Sequence, residues 1–219
     1  MSQKHKGIIF DLDGTLIDTL GDIGASMNKA LKTSGFPELP IEQYRDKVGW
    51  GIKRLAFLAL PAEARQEDTA ARVSALASGF YAENPVVYTK PYPGVPELIS
   101  VLKQQKKLKT AVLSNKPDAV VQKVIAGLFP PLSFHFTQGE VSGKPRKPDP
   151  GCVWELLIEM DLTPAEIIFV GDSEVDMETA VSSGCFPVGV SWGYRSVEVI
   201  KNAGARAIIN APHELLDFI

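Results

Sequence analysis

The stretch KGIIFDLDGTLIDT, residues 6–19, sets four residues, GIIF, between a lysine and two aspartates, Asp11 and Asp13, that are one residue apart. A short apolar run bounded by charge reads as a buried strand. This one delivers two carboxylates to one place, where like charges repel each other. A compensating cation and a division of labour between the two aspartates would explain the pair.

Similar runs recur at 110–114 (TAVLS), 167–171 (IIFVG), 186–190 (FPVGV) and 207–210 (AIIN). Helical patterns lie between them: VPELISVLKQQ from Val95, PDAVVQKVIAGL from Pro117 and PGCVWELLIEM from Pro150, each with proline at or near its start. Strands alternating with helices predict βαβ units on a parallel sheet, an α/β fold. The alternation is broken once. From Asp18 to about Tyr88, Leu20, Ile23, Met27 and Leu31 repeat at helical spacing, IKRLAFLAL follows, and EARQEDTAARVSALASGFYAEN reads as a long amphipathic helix. The expected architecture is a Rossmann-like three-layer core, residues 1–17 and 89–219, with an all-helical insertion over 18–88. TKPYPGVPE, with three prolines around Gly94, marks the return to the core.

The chain has 219 residues, enough for a sizeable core, and a formal net charge of −3 with its lysines and arginines scattered. That distribution offers no footprint for nucleic acid or an anionic membrane and favours a small-molecule partner. Cys152 and Cys185 are too few for a disulfide framework and read as buried thiols of a cytoplasmic protein. The N-terminal MSQKHKG is not followed by an apolar signal segment, and no stretch reaches the roughly 18 apolar residues of a membrane span. A monomer or weak dimer is expected.

In an open parallel sheet, ligands bind beyond the carboxyl ends of the strands. Four such places carry polar groups: DLDGT after the first strand, SNKP at 114–117, KPRKPDP at 144–150 and GDSEVD at 171–176. Taken in this order, DLDGTL, LSN, a lysine before PDP, and VGDSEVD resemble the haloacid-dehalogenase superfamily of phosphotransferases along the whole chain. The resemblance implies an inserted cap that closes over the site and excludes water.

Each polar residue then has a chemical role to fill. A carboxylate can attack phosphorus and form an aspartyl-phosphate that water later hydrolyses, and Asp11, held by the strand, suits that role. Repulsion between the anionic nucleophile and the anionic phosphate calls for cations, and hard oxygen ligands select Mg²⁺. Asp11 and Asp172 would hold it, with the Asp13 backbone carbonyl as the further ligand the family implies. The Asp13 side chain is then the general acid and base at the leaving oxygen. Gly14 permits a tight turn, and Thr15 can cap the segment after it. Ser114 and Asn115 can bind the transferring phosphoryl oxygens. The family's lysine before P-x-P maps to Lys147, leaving Lys144 and Arg146 as solvated loop charges. Asp176 is expected behind the metal site, holding water or Lys147. Glu174 and Glu178 read as exposed helix charges, His5, His135 and His213 as structural or surface residues, and Trp154 and Trp192 as packing residues.

Within the helical-cap subclass, VGWGIKRLAFLAL, YPGVPELI and SWGYRS look most like the phosphoglycolate phosphatase group. This implies hydrolysis of a small phosphorylated metabolite, with Gly49, Trp50 and Gly51 as a substrate-facing loop and Arg54, or Lys53, beside it. Trp50 departs from the small polar residue expected there. Alternatives on the same scaffold are a sugar-phosphate mutase and an inorganic pyrophosphatase; a hydrolytic dehalogenase would need neither Mg²⁺ nor an acid at Asp13. A non-catalytic nucleotide-binding module is disfavoured by the absence of both G-x-G-x-x-G and the P-loop pattern.

Overall fold

The computed structural model describes residues 5–105 and 108–219; residues 1–4 of the charged N-terminal stretch lie outside the described residues. The chain divides into two compact units, Met1–Ile17 with Pro91–Ile219, and Asp18–Lys90.

The first unit is built on six parallel strands in the order β5-β4-β1-β6-β7-β8. They are β1 (Gly7–Phe10), β4 (Lys109–Pro117), β5 (Phe136–Glu140), β6 (Ile167–Gly171), β7 (Phe186–Val190) and β8 (Ala207–Ile209). β1 is central and every residue in it is buried, which is why its sequence runs apolar instead of alternating. On one face, Ile9, Ala111, Leu113 and Phe169 pack against α6 (Gly151–Met160) and α7 (Glu174–Ser183). On the other, Phe10 and Val170 meet Val95 and Leu98 of α4 (Val95–Gln104) and Pro212 and Leu215 of the last turn. The core is therefore a sheet between helical layers, as the strand and helix alternation predicts.

Phe10 is level with Val112 of β4 and Val170 of β6. From β1 the chain builds outward through β4 to β5, then returns to the other side of β1 for β6, β7 and β8. The order reverses between β1 and β6, the crevice where open α/β sheets bind ligands. Asp11 and Asp172 are the residues that leave those two strands.

β4 and β5 depart from the pattern of short apolar runs. β4 continues past Ser114 to Pro117, with an irregular register after Leu113. β5, whose sequence is FTQGE, has no apolar run because it is an edge strand and four of its five residues are only partly buried.

The second unit contains three α-helices among its described residues: α1 (Leu20–Thr33), α2 (Ile52–Ala59) and α3 (Glu67–Glu83), with α3 against both others. Two internal networks brace it. Asn28 ties down Leu39 through both its amide atoms and accepts from the Tyr44 hydroxyl at 2.6 Å. The buried Asp22 carboxylate accepts from the Val87, Tyr88 and Thr89 amides at 3.0, 2.9 and 2.8 Å and from the Thr89 hydroxyl at 2.6 Å. The chain passes between the units through β2 (Ile17–Asp18) and β3 (Lys90–Pro91), which pair with each other. No helix is long and apolar enough to cross a membrane among the described residues.

Candidate active site

At the carboxyl ends of β1, β4 and β6 the first unit gathers four carboxylates and two ammonium groups, nearly all of them buried. Asp11 is held to both neighbours of its position: its N–H donates to Val170 O at 2.9 Å, and its carboxylate lies 2.7 Å from the Lys147 ammonium. Lys147 also donates to Asp176 at 2.6 Å. The Asn115 amide donates to the Lys147 carbonyl at 2.9 Å, so Asn115 fixes the lysine's main chain. Ser114 is buried, and its hydroxyl accepts from the Lys116 N–H at 3.2 Å.

Asp176 is placed by a reciprocal cap at the start of α7. Ser173 donates to its carboxylate from N–H and hydroxyl, at 3.1 and 2.6 Å, and accepts from the Asp176 N–H. Asp172 is held from the first polar motif and from a segment outside all four. The Tyr194 N–H donates to it at 2.7 Å and the Thr15 hydroxyl at 3.2 Å. Thr15 thus orients a carboxylate instead of capping a helix. The Trp192 indole in turn donates to the Thr15 carbonyl at 3.0 Å, so this residue, expected only to pack, ties the 191–195 segment to the turn after β1. Arg195, nearly buried, pairs with Glu174 at 2.9 Å, which makes Glu174 a structural partner and not a solvated helix charge.

Carboxylate oxygens of Asp11, Asp172 and Asp176 lie within 4.8 Å of one another. Their proximity governs their protonation. Burial first, then the charges of Asp176, Asp172 and Asp13, raise Asp11 well above the usual carboxylate range, with Lys147 opposing. Burial and Asp176 push Asp172 up to about 7, against the Tyr194 N–H and Arg195. Burial alone would depress the Lys147 ammonium, but Asp11 and Asp176 outweigh it and hold it above the ordinary lysine value. A hard divalent cation is what such a set of buried oxygen donors fits.

Asp13 faces a different partner, the buried ammonium of Lys116. Lys116 is absent from the sequence-derived site; in SNKP it looks like a loop lysine before proline, whereas β4 runs on through it and it is buried. The remaining loop charges stand apart: Lys144 and Arg146 are exposed and reach Glu155 and Glu140 at 3.5 and 3.3 Å. His5 is buried with its ring nitrogen 2.8 Å from Phe218 O, and Cys152 and Cys185 are buried free thiols. Trp154, expected in packing, is half exposed on α6. In the second unit, Gly49 and Gly51 have φ of 115° and 83°, Trp50 is partly buried, and Arg54 is exposed on α2 over the Phe57 ring.

Residues 8–190 match the family described as haloacid dehalogenase-like hydrolase. A phosphoglycolate phosphatase of Mannheimia succiniciproducens is 36% identical over 200 residues, 89% of this chain and 89% of that protein. One of Aquifex aeolicus is 35% identical over 190 residues, 85% of each. Among solved structures, that of a predicted phosphoglycolate phosphatase from Haemophilus somnus superposes with a TM-score of 0.90 at 30% identity, covering 99% of both chains.

Proposed function

The chain belongs to the haloacid dehalogenase-like hydrolases, and we propose that within this family it is a Mg²⁺-dependent phosphatase of a small phosphomonoester of the phosphoglycolate type. The observation that carries this reading is the position of Asp11, which leaves the central strand 2.7 Å from Lys147 and within 4.8 Å of the Asp172 and Asp176 carboxylates. Relatives named phosphoglycolate phosphatase support the substrate class.

In this reading an Asp11 carboxylate oxygen attacks phosphorus in line, and the bond from phosphorus to the ester oxygen breaks as the new one forms. Asp13 gives its proton to the departing oxygen, releasing the alcohol. Water then attacks the aspartyl-phosphate, Asp13 takes a proton from it, and inorganic phosphate leaves with Asp11 regenerated. Lys147 offsets charge on Asp11 and the phosphoryl group, and Ser114 and Asn115 line the phosphoryl position. Asp11, Asp172 and the Asp13 main-chain carbonyl would hold Mg²⁺, with Asp176 behind them. Bound Mg²⁺ would offset the repulsion between carboxylate and phosphate. Gly49, Trp50, Gly51 and Arg54 are assigned to substrate selection.

Phosphate release from a series of small phosphomonoesters, with Mg²⁺ and with chelator, tests the proposal. Activity should require the metal, and Asp11→Asn should abolish turnover, because an amide cannot serve as the nucleophile. Near-native activity of Asp11→Asn would rule out the covalent route.

A further inference from the structure

Lys116 stands two residues beyond Ser114, near the end of β4, and its side chain is 3% exposed. Lysine is seldom buried without a partner, and here the Asp13 carboxylate supplies one. The main chain that carries it is tightly fixed. Its N–H donates to the Ser114 hydroxyl, and on the β5 side a Cβ placed on Gly139 would lie 2.6 Å from the Lys116 carbonyl oxygen. The two buried lysines of the site therefore divide it. Lys147 is engaged by Asp11 and Asp176, on the side of the nucleophile. Lys116 serves the side of Asp13, where the leaving group departs.

We propose that Lys116 is a specificity-determining residue that selects a leaving group bearing a carboxylate on the carbon next to its ester oxygen, that is, a phosphorylated 2-hydroxycarboxylate. The assignment rests on the phosphatase reading above, in which Asp13 meets the ester oxygen. A carboxylate one carbon from that oxygen comes close to Asp13, and once Asp13 has given up its proton two carboxylates there repel unless a cation lies between them. An ammonium presents three donors on a compact charge, so Lys116 can hold Asp13 and the substrate carboxylate together. A neutral leaving group of the same size makes no use of that charge. Because the carboxylate is present in the bound substrate as well as in the transition state, its loss of contact should appear mainly in KM.

The test compares kcat/KM for 2-phosphoglycolate and ethyl phosphate in the wild type, Lys116→Met and Lys116→Arg. The wild type should favour phosphoglycolate. In Lys116→Met both rates can fall, since Asp13 loses its partner, but the ratio of phosphoglycolate to ethyl phosphate should drop a further 10- to 100-fold or so, as expected for a hydrogen bond between charged groups. The drop should lie in KM for phosphoglycolate, and Lys116→Arg should restore part of it. An equal fall for both esters would reduce Lys116 to a residue that positions Asp13 and overturn the proposal. A wild-type preference for ethyl phosphate would overturn it without any variant. Release of phosphate from neither ester, while other phosphomonoesters are hydrolysed, would reject the substrate class and the proposal with it; release from no phosphomonoester would reject the phosphatase reading itself.

Discussion

Gly14 and Asp172 pack so closely that nothing larger than hydrogen fits between them: a Cβ on Gly14 would lie 2.7 Å from the Asp172 Cγ, and Gly14 has φ of 84°. Both constraints act on one residue. Gly14→Ala should therefore lower stability by about 1–3 kcal/mol, the range for a strained backbone conformation. It should also displace Asp172 and weaken Mg²⁺ binding. Urea denaturation and calorimetric titration with Mg²⁺ would measure the two effects separately.

Lys147 and Lys144 should respond very differently to truncation. Lys147→Ala leaves the Asp11 and Asp176 carboxylates buried without their shared cation, so the loss of turnover should reach at least about 100-fold. The fold should weaken by about 3–5 kcal/mol. Lys144 is exposed and pairs with Glu155 only at 3.5 Å, so Lys144→Ala should change stability by less than about 1 kcal/mol. Steady-state kinetics and denaturant midpoints on the two variants would check the ranking.

Chelator-treated protein should lose stability as pH rises from about 4 to about 7. Asp172 holds its proton up to about 7 in the folded chain, whereas an unfolded aspartate releases it near 3.8. In that window the folded state binds more protons, so raising the pH favours unfolding. Asp11 is shifted in the same direction and adds to the slope. Added Mg²⁺ should flatten the decline, because a bound cation favours the ionised carboxylates. Melting temperatures across this pH range, with EDTA and with Mg²⁺, would show a steep and a shallow curve.

In the second unit, Asp22→Asn should cost about 2–3 kcal/mol, since one carboxylate oxygen accepts all four hydrogen bonds from Val87, Tyr88 and Thr89. The substitution keeps the shape and removes the charge. Faster amide hydrogen exchange at these three residues would localise the loss to the return segment.

The strands at the centre of the sheet are readable because burial on both faces leaves only apolar residues between polar ends, as in β1 and β6. That same rule hides β5, an edge strand with no need of an apolar run. Lys116 is hidden for a related reason: β4 runs on past Ser114 to Pro117 and its main chain there packs against Gly139 of the neighbouring strand, neither of which shows in SNKP. A lysine directly after a serine and asparagine at a strand end is the only signal the sequence offers. Trp154 reads as packing because it lies within an apolar helix, yet helical phase contradicts that. Val153, Leu156, Leu157 and Met160 form the buried stripe at spacings of three, four and seven, and Trp154 with Ile158 falls beside it.

Cys152 and Cys185 are enclosed in the core, and burial pushes each thiol up to about 11. Near pH 7 only about one molecule in ten thousand would carry either as a thiolate, the form that reacts with alkylating reagents. The natural protein is therefore close to silent toward maleimide dyes. Cysteines introduced at two exposed positions, Ala75 in one unit and Ile158 in the other, could take a donor and an acceptor fluorophore with both native thiols left in place. Single-molecule energy transfer between them would then record how the separation of the units is distributed, and whether added orthophosphate narrows it.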